Sequence, residues 1–66
     1  MNNKIREARA EVRMTQQQLA EAVDVSRQTI NAIESGKFVP STVLALKIAR
    51  TFGKSVEDIF SLEEND

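Results

Sequence analysis

The chain has 66 residues, room for one domain, and a net charge of −1 that by itself argues against a nucleic-acid binder. It holds neither cysteine nor histidine, which excludes a disulfide framework, thiolate chemistry, and the commonest metal ligand and general base. No run of about 18 apolar residues is present to span a bilayer, and the opening MNNKIREARAEVR lacks the apolar core of a secretory signal, so a soluble cytoplasmic protein is expected.

Five helices and no strand are predicted. The first starts with Asn2 or Asn3 as its cap and runs to about Arg13, with Ile5, Ala8, Ala10 and Val12 as its apolar face. Thr15 caps the second. Gln18 stands three residues on, the spacing of a capping box, and Met14 is placed to staple onto Leu19. Ser26 caps the third, with Val25 and Ile30 at the same staple spacing, and Gly36 is free to turn left-handed at its end. Lys37 to Pro40 reads as a loop, with Phe38 and Val39 as packed loop residues. Ser41 caps the fourth helix, whose apolar face is Val43, Leu44, Leu46, Ile48, Ala49 and Phe52, and Gly53 stops it. Ser55 with Asp58 makes a second capping box and opens a short fifth helix through Val56, Ile59 and Phe60. The domain is expected to span residues 1–62, with residues 63–66 an acidic, frayed tail. Caps, stops and periodicity agree, which supports an all-α fold.

The functional signal lies between Thr15 and Gly36. Two helices that cross closely need a small residue where they touch, and Ala20 stands there. A tight turn between them needs a residue that tolerates positive φ, and Asp24 does so more readily than most. Ile30 and Ile33 anchor the inner side of the third helix. On a wheel of 100° per residue, Gln28 and Ala32 then point outward, Asn31 lies beside them, and Arg27 reaches forward from the flank. Arginine pairs with guanine, glutamine and asparagine with adenine, and an alanine methyl meets a thymine methyl. Such a helix suits the major groove of DNA.

Gln16, Ala20, Asp24, Val25, Ile30 and Ile33 resemble the marker residues of the Cro/lambda-repressor (xenobiotic-response-element) helix-turn-helix family, and the ending SVEDIF resembles that of its short stand-alone regulators. The resemblance covers about Ile5 to Phe60. It implies a compact five-helix, lambda-repressor-like domain with Arg27, Gln28, Asn31 and Ala32 reading bases. It further implies that Gln16, Ser26, Thr29, Ser35 and Lys37 hold phosphates, and that Arg9 and Glu34 form a structural ion pair. Asp24 departs from the family's usual glycine, at a small expected cost in stability.

Charge is unevenly spread. Residues 1–54 carry nine basic and five acidic side chains, a balance of +4, while residues 55–66 carry five acidic and none basic. A basic body with an acidic end still offers a positive surface to DNA. Chains this short bury only about 60% of the surface exposed on unfolding, so pairing of copies is a common remedy. Ile59, Phe60 and Leu62 are the candidate dimer interface. The expected function is a transcriptional regulator, a repressor, that binds a palindromic operator as a homodimer, with no cofactor, membrane or small-molecule ligand implied. Two other readings stay open here: an antitoxin-type regulator that also binds a partner toxin, and a protein-interaction module on the same fold. An enzyme is not expected, because no nucleophile–base pair or metal cluster is present.

Overall fold

The computed structural model describes residues 1–66. The order of elements is β1 (Asn2–Asn3), α1 (Ile5–Glu11), α2 (Gln16–Val23), α3 (Arg27–Glu34), α4 (Thr42–Thr51), α5 (Val56–Ile59) and β2 (Phe60–Ser61). All five expected helices are present. The strands were not foreseen. They form a two-residue antiparallel ladder that pairs Asn2 with Ser61 and Asn3 with Phe60, and the Lys4 N–H extends it by donating to the Ile59 carbonyl at 2.8 Å.

That ladder explains why α1 starts later than expected. Asn2 and Asn3 are spent on joining the two ends of the domain. Asn3 still does part of a cap's work, since its Oδ1 accepts from the Ile5 N–H at 3.2 Å. Its amide meanwhile donates to the Ile33 carbonyl at 2.9 Å, tying the chain start to α3. The other four helices open on hydroxyl caps in extended conformation. Thr15 and Ser55 complete capping boxes with Gln18 and Asp58, and Ser26 and Ser41 accept from the N–H three residues on. The bonds from Ser55 hold the Asp58 carboxyl below its ordinary pKa.

Helix ends follow one device. After α1, α2, α3 and α4 the chain turns left-handed at Arg13, Asp24, Gly36 and Gly53. In each case the next N–H reaches back to a carbonyl in the last turn, as Val25 does to Ala20 at 3.0 Å. Asp24 sits at φ 62°, ψ 45°, where a side chain meets its own backbone. Asp24→Gly is expected to stabilise the domain by about 0.5–1 kcal/mol, a rise in Tm of a few degrees on thermal melting.

The core is built from Ile5, Ala8, Leu19, Ala20, Val23, Ile30, Ile33, Ala45, Ile48, Ala49, Ile59 and Phe60, with Met14, Val25, Leu44, Phe52 and Val56 packed against it. Several expectations need correction. Phe38 and Val39, expected to pack in the loop after α3, are 50% and 59% exposed. Ala10 and Val12 of the first apolar face are exposed. Val43 and Leu46 of α4 are 62% and 55% exposed, because α4 is covered on the side that carries Ala45, Ile48 and Ala49 and is open on the other. Ile59 and Phe60, offered as a dimer interface, are only 2% and 6% exposed. The β1–β2 ladder folds them into their own core, and of the three only Leu62 remains on the surface. The acidic residues 63–66, expected to fray, close a turn in which Glu63 N–H donates to Asp66. Asp66 also lies 3.1 Å from the N-terminal ammonium, and these bonds hold its carboxyl below the ordinary value.

Candidate nucleic-acid interface

The α2–α3 crossing sets the geometry of this face. Ala20 is wholly buried where the two helices meet, so the backbones approach closely. Asp24 turns the chain, and Ser26 starts α3 by accepting from the Thr29 N–H at 3.1 Å. Ile30 and Ile33 are buried beneath α3. Burying such a side chain is worth about 1.5–3 kcal/mol, enough to fix which face of the helix turns outward. Arg27, Gln28 and Asn31 stand exposed on the opposite side, with Ala32 half-buried among them. Neither Arg27 nor Gln28 has an ion-pair or side-chain hydrogen-bond partner within the chain.

A polar network braces α3 from behind. Arg9 donates from Nε to Glu34 Oε2 at 2.8 Å and from Nη2 to Oε1 at 3.0 Å, a two-point contact between α1 and α3. Its Nη1 donates to the Met14 carbonyl at 2.9 Å, which fixes the approach to α2. The side chain of Glu34 is 1% exposed and that of Arg9 15%. Hydrogen bonding to Glu34 raises the Arg9 pKa above its usual value, against a smaller opposing effect of burial. Arg6 adds a looser contact to Glu34 at 3.7 Å. Gln16 completes the network from α2, donating from Nε2 to Asn31 Oδ1 at 3.2 Å and to Glu34 Oε1 at 3.3 Å. Every buried polar side-chain atom has a partner.

Gln16 thus orients Asn31. With the Asn31 oxygen engaged, the free end of its amide is the NH2 group. The Ser26 and Thr29 hydroxyls lie 2.9 Å apart. If Thr29 donates, the Ser26 proton is left for an outside acceptor. Ser35 differs, since its hydroxyl donates to the Ala32 carbonyl at 3.2 Å and so has no spare proton. Lys37 is exposed and has no acidic partner.

Sequence reasoning missed Arg13. A shallow cleft at the start of α2 is lined by Arg9, Arg13, Thr15, Gln16, Gln17 and Arg27. The Gln16 and Gln17 N–H groups of the first turn have no acceptor in the chain, so the helix presents free donors between Arg13 and Arg27. Arg13 reaches the cleft through its left-handed conformation at φ 55°. Helical periodicity carries no signal of that turn.

No helix is long and apolar enough to cross a membrane. A helix-turn-helix family model matches residues 5–59. The chain is 50% identical, over the full length of both, to YgzD of Bacillus subtilis, named an uncharacterized HTH-type transcriptional regulator. It is 52% identical, again over all of both chains, to a protein of Methanocaldococcus jannaschii with the same description. Among solved structures it resembles the clp gene regulator ClgR of Corynebacterium glutamicum, with a TM-score of 0.77 and 33% identity over 82% of this chain. It spans 57% of the ClgR chain. The chain is therefore a member of the helix-turn-helix family of DNA-binding, non-enzymatic transcriptional regulators.

Proposed function

We propose that this regulator occupies a palindromic operator as a homodimer and represses by excluding polymerase. The observation that carries the reading is the outward face of α3, where Arg27, Gln28 and Asn31 stand exposed over a buried isoleucine pair. These side chains supply base choice. Arg27 suits guanine and Gln28 adenine; the NH2 of Asn31 suits an acceptor such as adenine N7, and the Ala32 methyl suits thymine. Phosphates are held by the free Gln16 backbone N–H at the α2 cleft, by the one spare proton of the Ser26–Thr29 hydroxyl pair at the start of α3, and by Lys37 beyond its end. Arg13 joins this set. Ser35 contributes only if its hydroxyl leaves the Ala32 carbonyl.

The dimer surface moves from Ile59 and Phe60 to a groove between α4 and α5. There Val43, Leu46 and Val56 line an open apolar trough with Lys47, Arg50, Lys54 and Glu57 around it. Both signs of charge on one rim let two copies related by a two-fold axis pair basic with acidic side chains. Leu46→Glu is expected to shift the protein to monomer by analytical ultracentrifugation and to weaken operator binding while leaving its helicity intact.

Repression by occupancy needs only the DNA-binding fold, and the family match takes up residues 5–59 of the chain. In cells such as those of its bacterial and archaeal relatives, the proposed place of action is the cytoplasm, where the chromosome lies. Selection from a random-sequence duplex library tests the reading. Two inverted half-sites centred about 34 Å apart are expected, with affinity falling steeply as salt rises. A single asymmetric site, or no enriched sequence, refutes it.

A further inference from the structure

Of the three phenylalanines, Phe60 lies in the core and Phe52 packs against it, whereas Phe38 is 50% exposed. A lone exposed apolar side chain needs no function. What sets Phe38 apart is its place. It closes one side of an open depression whose other walls are Ser26, Gln28, Thr29 and Ala32, all from α3 or its cap. The depression therefore continues the outward face of α3.

Its chemistry narrows the occupant. None of the five lining residues is charged, so a phosphate entering it meets no cation. Phe38, the Ala32 methyl and the Thr29 methyl make it locally apolar. In the major groove the one apolar group on a base edge is the 5-methyl of thymine, and alanine, threonine methyl and phenylalanine are the side chains that contact it. Phe38 is also held in position. Gly36 turns left-handed at φ 79°, and the Lys37 and Phe38 N–H groups both donate to the Ala32 carbonyl, at 2.9 and 3.2 Å. A ring on a fixed backbone loses little freedom on binding.

We infer that Phe38, with Ala32 and Thr29, forms an apolar cup for the methyl group of a thymine next to the base pair contacted by Gln28, making Phe38 a specificity determinant outside the helix that reads DNA. The inference rests on the function proposed above. It assigns to this loop residue a choice between thymine and cytosine that the polar residues of α3 do not make.

Deoxyuridine lacks only the methyl group and supplies the test. Each thymine of the selected operator is replaced in turn by deoxyuridine in one half-site, and binding is measured by fluorescence anisotropy for the unmodified protein and for Phe38→Ala. One position is expected to weaken the unmodified protein by about three- to tenfold, the effect of unburying a methyl group. At that position Phe38→Ala responds by less than about twofold, because the contact is already lost. Phe38→Gln repeats the series if circular dichroism finds the alanine variant loosened. The inference is overturned if the variant keeps the full deoxyuridine penalty, or if it binds operator and random duplex equally more weakly, which marks a sugar contact. In both cases the selected palindrome stands and the proposed function survives; if selection yields no operator, both fall together.

Discussion

Arg9→Met is expected to destabilise the domain by about 3–5 kcal/mol, the usual cost of removing one partner from a buried ion pair. The Glu34 side chain is 1% exposed and loses two bonds of 2.8 and 3.0 Å. Gln16 at 3.3 Å and the mostly exposed Arg6 at 3.7 Å remain, and neither replaces a two-point guanidinium contact. The Met14 carbonyl loses its donor as well. A domain of this length has only about 3–10 kcal/mol in hand, so the variant loses a large share of its stability. Urea denaturation checks this through a large fall in midpoint at an unchanged slope. The double variant Arg9→Met/Glu34→Met should recover most of the loss, because an apolar pair removes the stranded charge. A single-variant loss below about 1 kcal/mol would place the pair with ordinary surface ion pairs and refute its role as a brace.

That brace bears on function through α3. Glu34 is the last residue of α3, and Arg9, Arg6 and Gln16 all converge on it. Ile30 and Ile33 fix the helix from beneath, while the network fixes its rotation at the far end. The double variant therefore separates two contributions. If it regains stability but not operator affinity, the polar network serves orientation beyond what packing supplies.

Local signals were legible in the sequence and distant ones were not. The caps at Thr15 and Ser55 rest on a partner three residues on, that at Ser26 on the staple of Val25 with Ile30, and the turn at Asp24 on the tolerance of one side chain, so each was readable alone. The outward set on α3 followed because Ile30 and Ile33 define its inner side without ambiguity. α4 is different. It is apolar on both flanks, and periodicity gives faces without saying which one the rest of the chain covers, so the pattern points Val43 and Leu46 inward whereas they stand outward. The ladder between Asn2–Asn3 and Phe60–Ser61 joins segments nearly the whole chain apart, and two residues carry no alternation to read. It moved Asn3 out of α1 and took Ile59 and Phe60 away from the proposed interface. Arg13 and Phe38 share a further cause. Both lie just beyond a helix end: the left-handed turn at Arg13 leaves no trace in composition, and the one at Gly36 is readable without showing where it carries Phe38.

Gln28→Ala is expected to cost about 1–3 kcal/mol on the selected operator, some five- to 150-fold in affinity, and to relax choice at one base pair. Three features make this substitution a clean probe. Gln28 is exposed and bonded to nothing in the free protein, so stability should change by less than about 0.5 kcal/mol. It carries no charge, so the slope of log affinity against log salt should stay as it was. It stands in the first turn of α3, the part of such a helix that reaches base edges. Lys37→Ala is the matching control. Its loss should be similar on operator and random duplex, and the salt slope should fall by about 1. Binding of both variants to operators changed one base pair at a time separates the two behaviours. A uniform loss for Gln28→Ala would mean that its amide holds the backbone, and specificity would then have to rest on Arg27, Asn31 and the apolar cup at Phe38. Loss confined to one base pair would assign adenine recognition to a single amide whose direction is set by the isoleucines beneath it.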